Sequence, residues 1–308
     1  MRIIIEEDAQ GMLVREYIRT RLHFSRAMLS RLKQCADGIL LNGAHVTVRA
    51  ALHAGDELLL QCEDAAEDVN ENLVPRALPL EILYEDADVV ALNKGPGMPT
   101  HPSHDHFSDT LANALAYYYR DAGVPFVFRA VNRLDRDTSG VVLAAKNRPA
   151  AYRMSMQLQE GRVEKVYLAA VRGRLEGAGE IVADIRRVSD SIILRQTCPD
   201  GEGAYACTRY RMLCSGERFS VAAVMPQTGR THQIRVHFAH IGHPLIGDYL
   251  YGQEGECGMT RHALHACRMA FDDLRGGERV IVKAPVAPDI RALITQDFPH
   301  FFAERIPE

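Results

Sequence analysis

An abrupt reversal of charge near residue 62 limits how this chain can fold. From Gly11 to Ala50 seven basic residues (Arg15, Arg19, Arg21, Arg26, Arg31, Lys33, Arg49) stand against two acids, Glu16 and Asp37. The next stretch, Glu63 to Glu71, holds five acids and no base. Like charges packed so densely stay solvated, and such a shift marks a boundary between modules. Residues 63–79, ending in the Pro-punctuated NLVPRALPLE, read as an acidic, proline-bearing linker between a module at 1–62 and a body at 80–308.

Within the first module, LVREYIRTRL and SRAMLSRLKQCA carry apolar residues at helical spacing, with Ser25 or Ser30 as a cap for the second helix. ILLNGAHVTV reads as two short strands about an Asn42-Gly43 turn, and LHAGDELLLQC supplies a further strand. In the body, ILYEDADVVALNKGPG is strand, turn, strand; SDTLANALAYYYRDAG is a helix with Ser108 or Asp109 near its N-cap. GVVLAAKN and VEKVYLAAVRG are strands around the helix RPAAYRMSMQLQEG, and YACTRYRML–CSGE–RFSVAAVM is a hairpin. GRTHQIRVHFAHIG is a helix with Ile234, Phe238 and Ile241 on one face. Strands with interspersed helices but no regular βαβ beat predict an α+β fold with a mostly antiparallel mixed sheet.

Composition excludes several classes. At 308 residues, 47% hydrophobic and 25% charged, the chain is an ordinary globular one rather than disordered, collagenous or coiled-coil. No apolar run approaches the ~18–20 residues of a membrane span, and the N-terminus lacks a signal-peptide pattern. Seven cysteines without a CxxC pair suit reduced thiols in a cytoplasm. A net charge of −4 argues against coating nucleic acid by bulk charge.

Two segments carry chemistry. In VNRLDRDTSGVVLAAKN a polar turn runs into a buried strand, a rigid mount for a reactive carboxylate. Asp135 and Asp137 on one face would suit a paired-carboxylate hydrolase; Asp137 is read instead as shaping the turn. In MPQTGRTHQIRVHFAHIGHPLIGDYLYG, Arg230 is placed at the start of the helix, where it can meet an acid or a phosphate. His232, His237, His240 and His243 lack zinc-ligand spacing, and Cys257, His262, His265 and Cys267 are crowded into eleven residues rather than split between two knuckles, so no metal is expected.

Together these segments resemble the RluA family of pseudouridine synthases. LPLEILYEDADVVALNKGPGMPTHPS is similar to that family's first segment, RLDRDTSG to its catalytic motif, VEKVYLA to its K-x-Y strand, and TGRTHQIRVHFAHIGHPLIGDYLYG with RHALHA to its C-terminal motifs. The helix–helix–hairpin–strand order of the first module resembles the S4 RNA-binding domain, a common companion. The resemblance implies an RNA pseudouridine synthase, without cofactor, acting on ribosomal RNA in preference to transfer RNA, cytoplasmic and monomeric. It implies Asp135 as catalytic carboxylate, Tyr167 as the tyrosine against the uracil, and Arg230 as the partner of the aspartate. Arg133 and Asn132 would serve RNA binding and base flipping, Asn132 standing where the family usually has histidine. Gly95 intervenes where Lys-Pro would be adjacent. Arg15, Arg19, Arg26, Arg31 and Lys33 would contact phosphates through the S4-like face. The rival classes are a non-catalytic RNA-binding protein and a metal hydrolase.

Overall fold

The computed structural model describes residues 1–304 apart from 23, 36, 63–67, 104 and 190–192. The first five residues of the expected acidic linker therefore lie outside the described residues.

The N-terminal part contains β1 (Arg2–Ile4), α1 (Val14–Thr20), α2 (Arg26–Gln34), β2 (Ile39–Leu41), β3 (Ala44–His45) and β4 (Glu57–Leu60). Its sheet runs β1-β4-β2-β3. Ser25 caps α2, its side chain accepting from the Met28 amide at 3.1 Å. Asn42 and Gly43 both take positive φ (52° and 79°), the backbone that closes a two-residue hairpin. β1 was not anticipated, since a run of three isoleucines is too short to show a period. This part has its own core, with Ile5, Val14, Ile18, Leu32, Leu52 and Leu58 fully or nearly buried.

The larger part is built on one ten-stranded sheet. Its elements are β5 (Ile82–Glu85), β6 (Val89–Lys94), α3 (Leu111–Asp121), β7 (Arg129–Ala130), β8 (Ser139–Ala145), α4 (Arg148–Gln159), β9 (Glu164–Arg172) and β10 (Ala178–Val182). Then follow the separate pair β11 (Asp184–Arg187) and β12 (Arg195–Cys198), β13 (Cys207–Ser215), β14 (Phe219–Pro226), α5 (Gln233–His240), β15 (Leu264–Asp272), β16 (Arg279–Lys283), α6 (Pro288–Asp297) and α7 (Phe301–Glu304). The strand order is β10-β13-β14-β9-β15-β8-β6-β5, with β16 also on β15 and β7 on β8. Among the described strands one pair, β8 with β15, runs parallel and the rest antiparallel. The expected α+β class and mostly antiparallel mixed sheet are what the chain adopts. One detail differs: α3 is capped by Thr110 rather than Ser108 or Asp109.

β8 lies in mid-sheet and every one of its residues is buried, which suits an apolar run flanked on both faces. The two parts meet at Asp68, which pairs with Arg31 of α2 and, at 2.9 Å, with Arg148 of α4. Among the described residues no helix is long and apolar enough to cross a membrane.

Candidate active site

A cleft of about 860 Å³ opens where the loop ahead of β8 faces the start of α5. Asp135, Arg133, Tyr167 and Arg230 all line it. The loop carrying Asp135 is fixed from three sides. Thr100 Oγ1 donates to the Leu134 carbonyl at 3.0 Å and accepts from the Leu134 amide at 3.3 Å. The Lys94 ammonium, wholly buried, donates to the carbonyls of Gly95, Met98 and Arg136 at 2.8, 2.8 and 2.9 Å. Burial pushes its pKa down to about 7. From the third side, Arg261 Nη1 donates to the Asp137 carbonyl at 2.8 Å, while Thr138 and Ser139 hydroxyls pair with His262 Nε2 at 2.7 Å and His265 Nδ1 at 2.9 Å.

Those contacts give the Cys/His cluster its structural place. Two of its four side chains brace the loop, and Cys267 donates to the Val166 carbonyl. Among the described residues no group of three or more His, Cys, Asp or Glu could hold a metal ion. Gly140 is required where the loop joins β8: its φ is +112°, and a Cβ there would fall 2.2 Å from the Ala266 carbonyl oxygen.

The expected partner of Asp135 needs correction. Arg230 is exposed and its Nε donates to the Tyr205 carbonyl at 2.9 Å. The guanidinium that reaches Asp135 is that of Arg235, Nη1 to Oδ2 at 3.3 Å. The reason is where the helix begins. α5 starts at Gln233, not at Arg230, so Arg230 stays in the preceding turn and Arg235 is carried inward. Arg235 is 2% exposed and makes a bidentate pair with the buried Asp248 at 2.7 Å on both arms. Burial works against its charge, but Asp248 and Asp135 outweigh it and raise its pKa. The rings of Tyr251 and Tyr249 lie against the guanidinium, 5.1 and 5.7 Å from their centroids.

Asn132 also differs from expectation. Its amide donates to the Val141 carbonyl at 3.1 Å and accepts from the Leu143 amide at 2.8 Å, clipping the loop onto β8 as a strand rung would. The side chain is engaged by the backbone of β8 while the residue still lines the cleft. A carboxamide presents its acceptor and donor side by side on one edge, whereas the two ring nitrogens of histidine point in diverging directions. Arg133 is exposed at the cleft, in no ion pair among the described residues. Tyr167 projects from β9, and burial together with Asp135 raises its pKa, keeping the phenol protonated. Asp137 takes the Arg136 side chain at 3.0 Å, and does not line the cleft with Asp135. Among the described residues no carboxylate pair of the hydrolase kind faces the cleft.

A family model described as RNA pseudouridylate synthase matches residues 88–240, from the head of β6 through α5. The uncharacterised RNA pseudouridine synthase YjbO of Bacillus subtilis (strain 168) is 39% identical over 284 residues, covering 92% of this chain and 98% of that one. The chain belongs to the RNA pseudouridylate synthase family. A ribosomal large subunit pseudouridine synthase D, from Xylella fastidiosa, is 36% identical over 289 residues, 88% of this chain and 84% of that one. The solved structure of human RNA pseudouridylate synthase domain containing 1 shares the fold at a TM-score of 0.57 and 28% identity, over 76% of this chain and 98% of that one.

For a pseudouridylate synthase of RluA type, the motifs that carried the resemblance enclose this one cleft. Sequence reasoning missed Arg235, Lys94, Lys165 and His232. Arg235 was hidden because all residues from Gln233 to Phe238 are buried, so α5 shows no polar face against which an inward arginine stands out. Lys165 was legible in principle: two residues before Tyr167 on a strand, it shares that tyrosine's side, lines the cleft, and has its pKa lowered by burial.

Proposed function

We propose that this chain isomerises uridine to pseudouridine in folded ribosomal RNA, with Asp135 as the catalytic carboxylate. The observation that carries the reading is a carboxylate paired to a buried arginine in a cleft walled by a protonated tyrosine. The ribosomal substrate is supported by the relatives named ribosomal large subunit pseudouridine synthase D. The reaction breaks N1–C1′, turns the base over and joins C5 to C1′; a proton leaves C5 and one ends on N1. No electron changes hands, so the residues need supply only a carboxylate, a proton path and a cleft that keeps the detached uracil in place. Asp135 acts on the sugar, by attack at C1′ or by removal of the 2′ proton. Tyr167 lies against the uracil and has the phenol to carry the C5 proton.

A base in folded RNA is reached only by extrusion, at a cost of a few kcal/mol. Arg133, exposed two residues before Asp135, is placed to fill the vacated stack. Arg230, at the rim, suits a phosphate. Residues 1–62 act as an S4-like RNA-binding domain: Arg15, Arg19, Arg26 and Lys33 are exposed and in no ion pair among the described residues. Arg31, which the sequence alone places among the phosphate-binding residues, is committed to Asp68. The enzyme works as a cytoplasmic monomer without cofactor.

The test uses ribosomal RNA tritiated at uridine C5, since forming C5–C1′ expels that hydrogen. Asp135→Asn is expected to lower release by at least about 10³-fold while leaving RNA binding intact. Asp137→Asn, whose carboxylate faces Arg136, retains release. If Asp135→Asn released tritium near the wild-type rate, the reading would fall.

A further inference from the structure

We propose that His232 is a positioning residue for the Asp135 carboxylate, donating from Nε2 to the oxygen that Arg235 also holds, so that the other oxygen faces the sugar. The inference rests on the reading of Asp135 as the catalytic carboxylate. His232 has a left-handed backbone, φ 57° and ψ 17°, immediately before α5. Glycine or asparagine takes that conformation more readily than histidine. Strained backbone kept by a side chain that faces a reactive group points to use of that side chain.

The ring's hydrogen-bond partners accommodate its proton on Nε2. The Arg195 amide donates to the Tyr251 hydroxyl at 2.9 Å, so that oxygen is an acceptor there and its own hydrogen is free to go elsewhere. His232 Nδ1 lies 2.8 Å from the same hydroxyl. Tyr251 can thus donate to Nδ1, in the tautomer that carries the imidazole hydrogen on Nε2. Burial holds the ring neutral by lowering its pKa, with Asp135 opposing and Arg235 and Arg195 adding to the shift. The ring packs edge-on against Tyr251, 5.7 Å between centroids, which fixes its plane.

Nε2 lies 3.9 Å from Asp135 Oδ2. Arg235 Nη1 approaches the same Oδ2 at 3.3 Å. Among the described residues no donor reaches Oδ1. With His232 drawn in beside Arg235, two donors on one oxygen would set the carboxylate plane and leave the lone pairs of the other for the reacting atoms. The 3.9 Å gap is longer than a hydrogen bond, and such approaches tighten when substrate enters.

The asparagine side chain places its amide where Nδ1 sits and glutamine places its amide nearer Nε2. His232→Asn therefore keeps the left-handed backbone and the Tyr251 contact but loses reach to Asp135; His232→Gln keeps the reach. With full-length enzyme and ribosomal RNA, the Asn variant is expected to lose on the order of 30- to 100-fold in kcat, with KM moved less than about threefold. The Gln variant should recover to within about fivefold of wild type. Wild-type kcat in the Asn variant, or a Gln variant no faster than Asn, overturns the proposal. If thermal melting shows the Asn variant unfolded, Tyr251→Phe carries the test. It keeps the ring packing and releases the tautomer, so kcat should fall severalfold at constant KM, and unchanged kcat overturns the proposal. An active Asp135→Asn enzyme would instead remove the reading beneath it.

Discussion

Arg235 satisfies two carboxylates at once, and they are not equivalent. Asp248 is fully buried and has Arg235 as a bidentate partner, whereas Asp135 keeps one oxygen toward the cleft. Arg235→Gln leaves the Asp248 charge buried without its counter-ion, which costs about 3–5 kcal/mol. Chemical denaturation should show that loss, and tritium release should fall even under conditions where the variant is folded. A stability change within about 0.5 kcal/mol would mean that Asp248 does not depend on Arg235 as its counter-ion. At this scale the turn and the strand behind it marked a rigid mount for a carboxylate, and the family resemblance singled out Asp135 on it. The sequence did not disclose Arg235, because a buried cation on a helix buried all round looks, by spacing alone, like any other helical position.

Elements place charge as well as chemistry. Arg15 and Arg19 are four apart on α1, and Arg26 and Lys33 are seven apart on α2, so each pair forms a stripe on its helix. Replacing Arg15, Arg19, Arg26 and Lys33 by glutamine should weaken RNA binding and flatten its salt dependence, by roughly 0.7–0.9 in log–log slope for each phosphate no longer neutralised. Maximal turnover should be unchanged. Arg31→Gln behaves differently, loosening the Asp68 junction between the two parts with little effect on that slope. A quadruple variant with wild-type affinity and slope would leave the helices without a role in binding. Both helices, the hairpin and β4 were legible here from period and turn residues, whereas β1 was not. The pairing of Arg31 was not, since its partner lies in an acidic stretch that reads only as linker.

For the whole molecule, sequence period and turn chemistry predicted most strands but not their order. That order places β15, late in the chain, between β9 and β8. The carboxylate loop at 133–139 is thus finished by Arg261, His262 and His265, more than a hundred residues further on. A chain stopped at residue 258 should bind RNA through its first module yet release no tritium; measurable release would show that the loop holds its shape unaided. Under the proposed reading, the ability to grip RNA is expected to emerge from the ribosome early and the ability to alter it to arrive with the last sixth of the polypeptide. Prematurely terminated copies should then hold RNA without changing it, because the loop bearing Asp135 gains its last braces only when nearly all of the protein has been made.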